Sequence, residues 1–160
     1  MSATAIQTLA PELDDGALRT AFGRFPTGVT FVTTDAGDAP LGLIVSSFAA
    51  VSLRPPLVSF CPSRDSLTWQ RMRQAGRFTI HVLEARHGGW VRRAAPSDAD
   101  RFADPSVVRD ALTSLVCDLE AEHAAGDHTI VVGRVRSLVI DADARPLVYF
   151  AGRFGRFVAD

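Results

Sequence analysis

A polar turn leads directly into a β-branched run at Gly126-Asp127-His128-Thr129-Ile130-Val131-Val132-Gly133-Arg134-Val135. Threonine, isoleucine and valine favour strands because their branched side chains pack well on a pleated surface. The run therefore predicts a strand that follows a tight Gly-Asp turn. His128 stands where this strand begins, and an imidazole changes its charge near neutral pH. Taken alone, His128 either caps a hairpin turn or is held at a rigid strand end to contact a ligand.

Similar β-branched or alternating apolar stretches recur along the chain, so we predict about seven strands. They cover residues 29–34, 41–47, 58–61, 78–83, 115–122, 129–140 and 147–150. Two or three short helices are predicted: one after a cap at Asp14 or Asp15 that carries Leu18, Ala21, Phe22 and Phe25, one over residues 67–74 and one over 87–94. Most connections between strands have hairpin length. The sequence therefore predicts a mostly β fold with an antiparallel sheet, closed into a barrel that removes exposed edges.

Length and composition indicate one globular domain. The chain has 160 residues, of which 47% are hydrophobic and 22% charged, and this balance is ordinary for a globular protein. We predict a flexible N-terminal arm over residues 1–13, a single domain over 14–160 and a long surface loop over 95–105. The net charge of −1 predicts neither a nucleic-acid partner nor binding to an anionic membrane. Without a long apolar run or a signal-like N-terminus, the expected location is cytoplasmic.

The residue types that are missing narrow the chemistry. All seventeen basic residues are arginine, so a Schiff-base lysine or a phosphate-loop lysine is excluded. The four histidines are scattered and no Cys-x-x-Cys pair occurs, so no metal site is predicted. Cys61 and Cys117 lie in apolar runs and are predicted to be buried, reduced thiols. Neither a Gly-x-Ser-x-Gly elbow nor a Gly-x-Gly-x-x-Gly fingerprint is present.

Two local patterns suggest ligand contacts. Ser46 and Ser47 end a predicted strand, where hydroxyls and backbone amides suit a flat heteroaromatic ring, although a solvated strand end would look the same. Ser63, Arg64 and Ser66 precede a predicted helix, and helix N-termini favour phosphate groups. Arg64 is equally compatible with a simple surface charge. His81 lies in an apolar alternation, and we interpret it as a hydrogen-bonded core histidine.

Four motifs occur in an order that identifies a family. They are Phe25-Pro26-Thr27-Gly28-Val29-Thr30; Ser46-Ser47-Phe48 with residues 51–58; Gly126-Asp127-His128; and Gly152-Arg153-Phe154-Gly155. With these motifs the chain resembles the flavin reductase-like, FMN-binding split-barrel family from about Leu18 to Phe157. Within that family it is most similar to the small reductase components of two-component flavin monooxygenases.

The resemblance implies a fold, a reaction and partners. The fold would be an antiparallel split barrel of Greek-key type. The protein would be a homodimer that reduces free FAD or FMN with NADH or NADPH and passes the reduced flavin to a separate monooxygenase. Two other functions stay open: a flavin-carrying split-barrel protein without reductase turnover, and a related oxidase that acts on a pyridoxine phosphate or a deazaflavin.

The resemblance also implies site residues. His128 would be the catalytic histidine on the nicotinamide side, where we expect it to orient the nucleotide without serving as an obligatory acid or base. The flavin-ring strand would comprise Leu43, Ile44, Val45, Ser46 and Ser47. The phosphate and the flavin tail would lie against Cys61, Pro62, Ser63, Ser66, Thr68, Gly76, Arg77 and Phe78. The closing C-terminal segment would comprise Arg153, Phe154 and Gly155.

Some positions depart from the family pattern. Ile44 stands where threonine is usual, His81 where asparagine is common and Phe154 where tyrosine is frequent. The choice between FMN and FAD, and between NADH and NADPH, therefore stays open. Asp127 adjoins His128, but neighbouring strand residues point to opposite faces, so no direct ion pair is expected between them.

Overall fold

Antiparallel strands make up most of the folded chain. The computed structural model describes residues 13–35, 39–96, 100–141 and 145–159. The strands are β1 (Thr27–Gly28), β2 (Thr30–Asp35), β3 (Pro40–Val45), β4 (Ala49–Leu53), β5 (Pro56–Phe60), β6 (Arg77–Val82), β7 (Thr113–Ala125), β8 (His128–Ile140), β9 (Leu147–Phe150) and β10 (Arg153–Arg156). The α-helices are α1 (Asp15–Phe22), α2 (Leu67–Met72), α3 (Gly88–Ala94) and α4 (Ser106–Arg109), with 3₁₀ turns at Arg73–Ala75 and Ala85–His87.

The larger sheet has seven strands in the order β3-β2-β6-β7-β8-β5-β4. Its two edge strands, β3 and β4, are consecutive in the chain and are joined only by residues 46–48. Four peptide steps span at most about 14 Å, whereas the edges of a flat seven-stranded sheet would lie about 29 Å apart. The sheet must therefore curl into a barrel. Because β3 and β4 are not paired within the described residues, the barrel is split, as predicted.

A second, three-stranded sheet of order β1-β9-β10 lies beside the barrel. Within it, β9 and β10 form a tight hairpin that turns at Ala151 and Gly152, both with positive φ. Turns of this kind match the twist of the flanking strands. The hairpin also pairs Tyr149 with Phe154 across the two strands.

Two apolar clusters cover the two faces of β2. Val32, which is fully buried, belongs to the cluster formed with Phe60, Trp69 and Phe78. In that cluster the three aromatic rings meet edge to face at centroid distances of 5.3 to 6.1 Å, an orientation that aromatic pairs prefer. Phe31, the chain neighbour of Val32, is also fully buried but packs in a second cluster. That cluster contains Val29, Leu83, Trp90, Val91, Ala94, Val107 and Leu147.

The predicted strands are confirmed to within a few residues, and three others were missed. β4 escaped prediction because Ala49 and Ala50 begin it and four of its five residues are exposed. β1 has two residues, and β10 reads Arg-Phe-Gly-Arg with a single half-buried position. Both segments are strands because they pair with β9, and for β1 that partner lies at the far end of the chain.

The helix predictions needed smaller corrections. Asp14 caps α1, with its carboxylate accepting a hydrogen bond from the Ala17 amide, but the helix ends at Phe22, before Phe25. The helix predicted over 87–94 begins instead with a 3₁₀ turn, and α4 follows the predicted surface loop. Residues 1–12 of the predicted arm and residues 97–99 of that loop lie outside the described residues. No helix among the described residues is both long and apolar enough to cross a membrane.

The two thiols differ from each other. Cys117 is buried as predicted, and burial raises its pKa to about 12. Cys61 is only half-buried, so the prediction of a buried thiol was wrong at that position. Cys61 follows directly after β5, at the point where the chain leaves the barrel wall.

His81 is a core histidine, as predicted. It is 4% exposed, and its two ring nitrogens contact Thr33 Oγ1 at 3.0 Å and Ser114 Oγ at 2.8 Å. A neutral imidazole offers one donor and one acceptor, and each hydroxyl can serve either role. Burial penalises the charged form and lowers the pKa of His81 to about 4.

We expect this buried histidine to make the fold sensitive to acid. The folded pKa lies below the ordinary value of 6.5, so its contribution to stability is complete above pH 6.5 and is lost as the pH falls toward 4. From pH 7 to pH 5, His81 should lower the free energy of unfolding by about 2 kcal/mol. Urea denaturation of the wild type and of His81→Gln at both pH values measures this loss.

The free energy of unfolding should decrease less in His81→Gln than in the wild type between pH 7 and pH 5. His87 is buried as well, and burial is the main reason its pKa is lowered, but it contributes equally to both proteins. The exposed His123 supplies the matched control, His123→Gln, which should keep the wild-type pH dependence. Equal decreases in the wild type and in His81→Gln would contradict the assignment.

Candidate functional site

The end of β3 borders an open cleft of about 360 Å³ between the barrel and α3. Register pairs Val45 with Thr30 and Ile44 with Phe31, and the Thr30 hydroxyl also donates to the Val45 carbonyl at 3.2 Å. Ile44 packs against the second apolar cluster, the one that contains Phe31, so its side chain is on the cleft face of the strand. The lining comprises Val29, Leu43, Ile44, Val45, Ser46, Val91, Ala94, Ala95, Arg101, Tyr149 and Phe154.

An aromatic pair forms one wall of this cleft. Tyr149 of β9 and Phe154 of β10 face each other with ring centroids 5.2 Å apart. The Arg92 guanidinium lies 5.9 Å from the centre of the Phe154 ring, within the range of a cation–π contact. The sequence pointed to Phe154 but missed Tyr149, although the short Ala-Gly turn between the two strands could have indicated their pairing.

Ser46 extends the cleft toward α1. Ser46 and Tyr149 also line a second cavity, of about 680 Å³, together with Phe22, Phe25 and neighbouring residues of α1. The two cavities are therefore adjacent at the strand end. Ser46 is exposed, so its hydroxyl is accessible from both.

Ser47 has a structural role at the same strand end. Its hydroxyl accepts a hydrogen bond from the Cys61 amide at 2.8 Å and donates to the Cys61 carbonyl at 3.4 Å. These contacts tie the end of β3 to the loop that follows β5. The predicted ligand hydroxyl at Ser47 is thus already engaged with backbone.

The loop over residues 61–66 is attached to the turn before His128. Thr129 donates its amide to the Pro62 carbonyl, and Arg64 donates its amide to the Asp127 carbonyl, both at 3.0 Å. The Arg64 guanidinium donates to the Gly126 carbonyl at 3.3 Å. Ser63 and His128 form an isolated antiparallel bridge. The structure therefore brings the predicted phosphate loop and the predicted nicotinamide histidine together.

His128 forms a direct contact with Asp127, contrary to the sequence expectation. Its Nδ1 lies 2.8 Å from Asp127 Oδ1, and 47% of the histidine side chain is exposed. The alternation of strand side chains does not apply here, because Asp127 belongs to the turn and β8 begins at His128. The hydrogen bond to His128 lowers the pKa of Asp127. His128 does not line the cleft of Ile44.

Ser66 and Thr68 belong to the start of α2. The Ser66 hydroxyl accepts a hydrogen bond from the Trp69 amide at 3.2 Å, so it caps the helix as the sequence indicated. Thr68 is half-buried. Because the helix has only six residues and the serine oxygen already contacts a helix amide, the predicted phosphate site has fewer open donors than expected.

Gly76, Arg77 and Phe78 lie apart from the strand end. They border another cleft, of about 410 Å³, with Thr33, Thr34 and Asp35 at the opposite end of β2. The Arg77 guanidinium donates to Asp118 Oδ1 at 2.9 Å, and Phe78 is buried in the barrel core. Within this chain, the structure does not bring these residues together with Ile44 and Ser46.

The C-terminal residues divide between two surfaces. Phe154 lines both the cleft of Ile44 and a cavity of about 750 Å³ on the small sheet, whereas the exposed Arg153 and Gly155 border only the latter. Arg101, another lining residue of the first cleft, was missed because nothing in its local sequence distinguishes it from the other arginines. Among the described residues, no cluster of three or more His, Cys, Asp or Glu side chains could hold a metal ion.

Comparison with known proteins supports one interpretation of this architecture. Residues 22–157 match the family model described as a flavin reductase like domain. The NADH-dependent FMN reductase SmoA of Agrobacterium fabrum is 40% identical, with 88% of this chain and 85% of SmoA aligned. The reductase subunit HsaB of a flavin-dependent monooxygenase from Rhodococcus jostii is 36% identical, with 91% of this chain and 79% of HsaB aligned.

A solved structure shows the same fold. The NADH:FAD oxidoreductase SgcE6 of Streptomyces globisporus, in complex with NAD and FAD fragments, superposes with a TM-score of 0.84 at 35% identity. The superposition covers 92% of this chain and 94% of SgcE6. Since the family model spans most of the chain and both relatives align with it over most of their own lengths, the protein belongs to the flavin reductase like domain family.

Proposed function

We propose that this protein is an NAD(P)H:flavin oxidoreductase that reduces free FAD or FMN and supplies the reduced flavin to a partner monooxygenase. The observation that carries the proposal is the apolar cleft beside the end of β3, in a chain whose relatives are flavin reductases. Flat ring systems bind best in mostly apolar clefts with a few polar groups. NADH is the donor named for SmoA and SgcE6, which act on FMN and FAD respectively.

The cleft residues fit an isoalloxazine ring. Ile44 and the Tyr149–Phe154 pair provide apolar and aromatic surface, and Ser46 and Arg101 provide hydrogen-bond donors. Ile44 contributes apolar surface where a threonine would add a hydroxyl. The flavin supplies the hydride-accepting chemistry and the nicotinamide supplies the hydride. The contribution of the protein is to orient both rings and to exclude water from the space between them.

His128 is the residue that we propose for the nicotinamide side. Asp127 engages Nδ1, which fixes the ring orientation and leaves Nε2 as the nitrogen for a ligand. The bridge to Ser63 anchors the histidine to the loop over residues 61–66. That loop and the Gly76 turn are the proposed surfaces for the phosphates and the flavin tail.

A reductase that donates its product must also release it. Micromolar binding, about −8 kcal/mol, permits release far more readily than nanomolar binding. The open cleft at the strand end agrees with exchange of free flavin. We place the reaction in the cytoplasm, which cell fractionation can test.

The reductase activity is tested by crossing two flavins with two nucleotides. Oxidation of NADH or NADPH by the purified protein should depend on added FMN or FAD, and the added flavin should leave the protein on gel filtration. A background rate with every combination would refute the reductase. Tightly retained flavin without nucleotide oxidation would instead favour a flavin carrier. Turnover of a pyridoxine phosphate or a deazaflavin alone would favour the related oxidase.

His128→Ala should raise the KM for the nicotinamide nucleotide about tenfold, while the KM for flavin and kcat change little. Loss of a uniform binding contact produces this pattern, whereas loss of an obligatory acid or base would mainly lower kcat. The exposed His123 of β7 supplies the matched control His123→Ala. Unchanged nucleotide KM in His128→Ala would reduce His128 to a turn residue.

We also propose a homodimer. None of the residues of α1 is buried, and Phe22 and Phe25 are 71% and 74% exposed. Such apolar side chains, adjacent to the cavity that reaches Ser46, indicate a surface that a second copy covers.

Light scattering tests the dimer. The wild type should have about twice the 17.2 kDa mass of one chain, and Phe22→Glu/Phe25→Glu should shift it toward the monomer because two charges would be buried at the interface. Leu67 of α2, 74% exposed, gives the control Leu67→Glu, which should remain dimeric. A monomeric wild type would exclude the proposed assembly.

A further inference from the structure

Arg101 places a positive charge on the wall of the proposed flavin cleft. The residue is half-buried and lines the cleft together with Ile44, Ser46, Tyr149 and Phe154. The other lining side chains are apolar apart from the serine and the tyrosine. In such surroundings a charge acts over a longer distance than it would in water.

Two hydrogen bonds hold the guanidinium in place. Nε donates to the Ala94 carbonyl at 3.0 Å, and Nη2 donates to the Pro96 carbonyl at 3.1 Å. Ala94 is the last residue of α3, so the cation lies at the helix end that favours positive charge. These carbonyl oxygens engage two of the five N–H donors of the guanidinium and do not neutralise its charge. No carboxylate of the described residues forms an ion pair with Arg101.

The hydride transfer changes the charges of the two rings. NADH and oxidised flavin give NAD⁺ and reduced flavin: one hydrogen and two electrons leave the nicotinamide, which becomes cationic, and arrive on the flavin, which becomes anionic. A fixed cation beside the flavin therefore stabilises the products of the reaction more than the reactants. A fixed cation beside the nicotinamide would instead oppose the reaction, because the nicotinamide becomes positively charged.

We propose that Arg101 selectively stabilises the reduced, anionic flavin in the cleft of Ile44. The inference rests on the proposed reductase function and adds to it a residue that sets the reducibility of bound flavin. The cleft favours the ring over a phosphate as the group that Arg101 meets. A phosphate needs several donors, whereas this wall combines one guanidinium with apolar and aromatic surface.

The experiment compares the affinity of the protein for oxidised and for reduced flavin. Anaerobic titrations with FMN and FAD in both redox states give the two dissociation constants for the wild type and for Arg101→Gln. The variant should weaken binding of reduced flavin about tenfold more than binding of oxidised flavin. For a two-electron couple, this ratio lowers the potential of the bound flavin by about 30 mV.

Two further variants separate charge from packing. Arg101→Lys keeps the charge but loses the forked anchoring, and it should retain the wild-type ratio of affinities to within about twofold. Arg93→Gln removes an exposed arginine of α3 that does not line the cleft, and it should match the wild type. If Arg101→Lys lost the preference for reduced flavin as Arg101→Gln does, the positive charge would not be the cause of that preference, and the proposal would be wrong.

Other outcomes are equally decisive. Equal weakening of both redox states in Arg101→Gln would mean that Arg101 contacts the flavin tail or only supports α3, and would overturn the inference. Unchanged affinities would overturn it as well. The wild type could oxidise NADH in a flavin-dependent way while Arg101→Gln leaves the ratio of its affinities for reduced and oxidised flavin unchanged. In that case only the role of Arg101 fails. If the wild type binds no flavin in either state, the proposed function fails and the inference with it.

Discussion

The short link between β3 and β4 is the constraint on which the rest of the structure depends. Residues 46–48 must join the two edges of a seven-stranded sheet, and the sheet can meet that requirement only by curling. The curl places the end of β3 beside the loop that leaves β5, where the Ser47 hydroxyl joins them. That loop in turn anchors the turn before His128. Three segments far apart in sequence thus meet at one rim of the barrel.

The proposed chemistry follows from which groups the rim holds and which it leaves accessible. Three polar side chains already form hydrogen bonds with backbone groups: Ser47 with the loop, Ser66 with the helix start and Arg64 with the hairpin turn. Ser46 remains exposed at the cleft. Preorganisation of this kind positions a ligand without relying on flexible side chains. In the proposed function, the cleft would provide the surface for the flavin ring, and the neighbouring rim would provide the histidine for the nicotinamide.

The sequence predicted structure correctly where local residue patterns determine it. The β-branched runs predicted most of the strands, and the apolar alternation around His81 correctly predicted a buried, hydrogen-bonded histidine. Pairing between distant segments was harder to predict. β1 is a strand because it pairs with β9 from the far end of the chain. Arg101 lies at the cleft beside the end of α3, where the Ala94 carbonyl accepts its Nε hydrogen bond. The Asp127–His128 contact was missed because alternation was applied one residue before the strand begins. The roles of the individual site residues remain predictions.

The alternation of β2 has a consequence for cooperativity. Phe31 and Val32 are neighbours in the chain, both fully buried, and each belongs to a different apolar cluster. Separating the helices α3 and α4 from the barrel would uncover Phe31, and opening the barrel interior would uncover Val32. Because the same strand carries both side chains and sits between β3 and β6, neither layer forms an independent folding unit. The backbone amides of β2 should therefore exchange with solvent only through global unfolding, and the two layers should melt together.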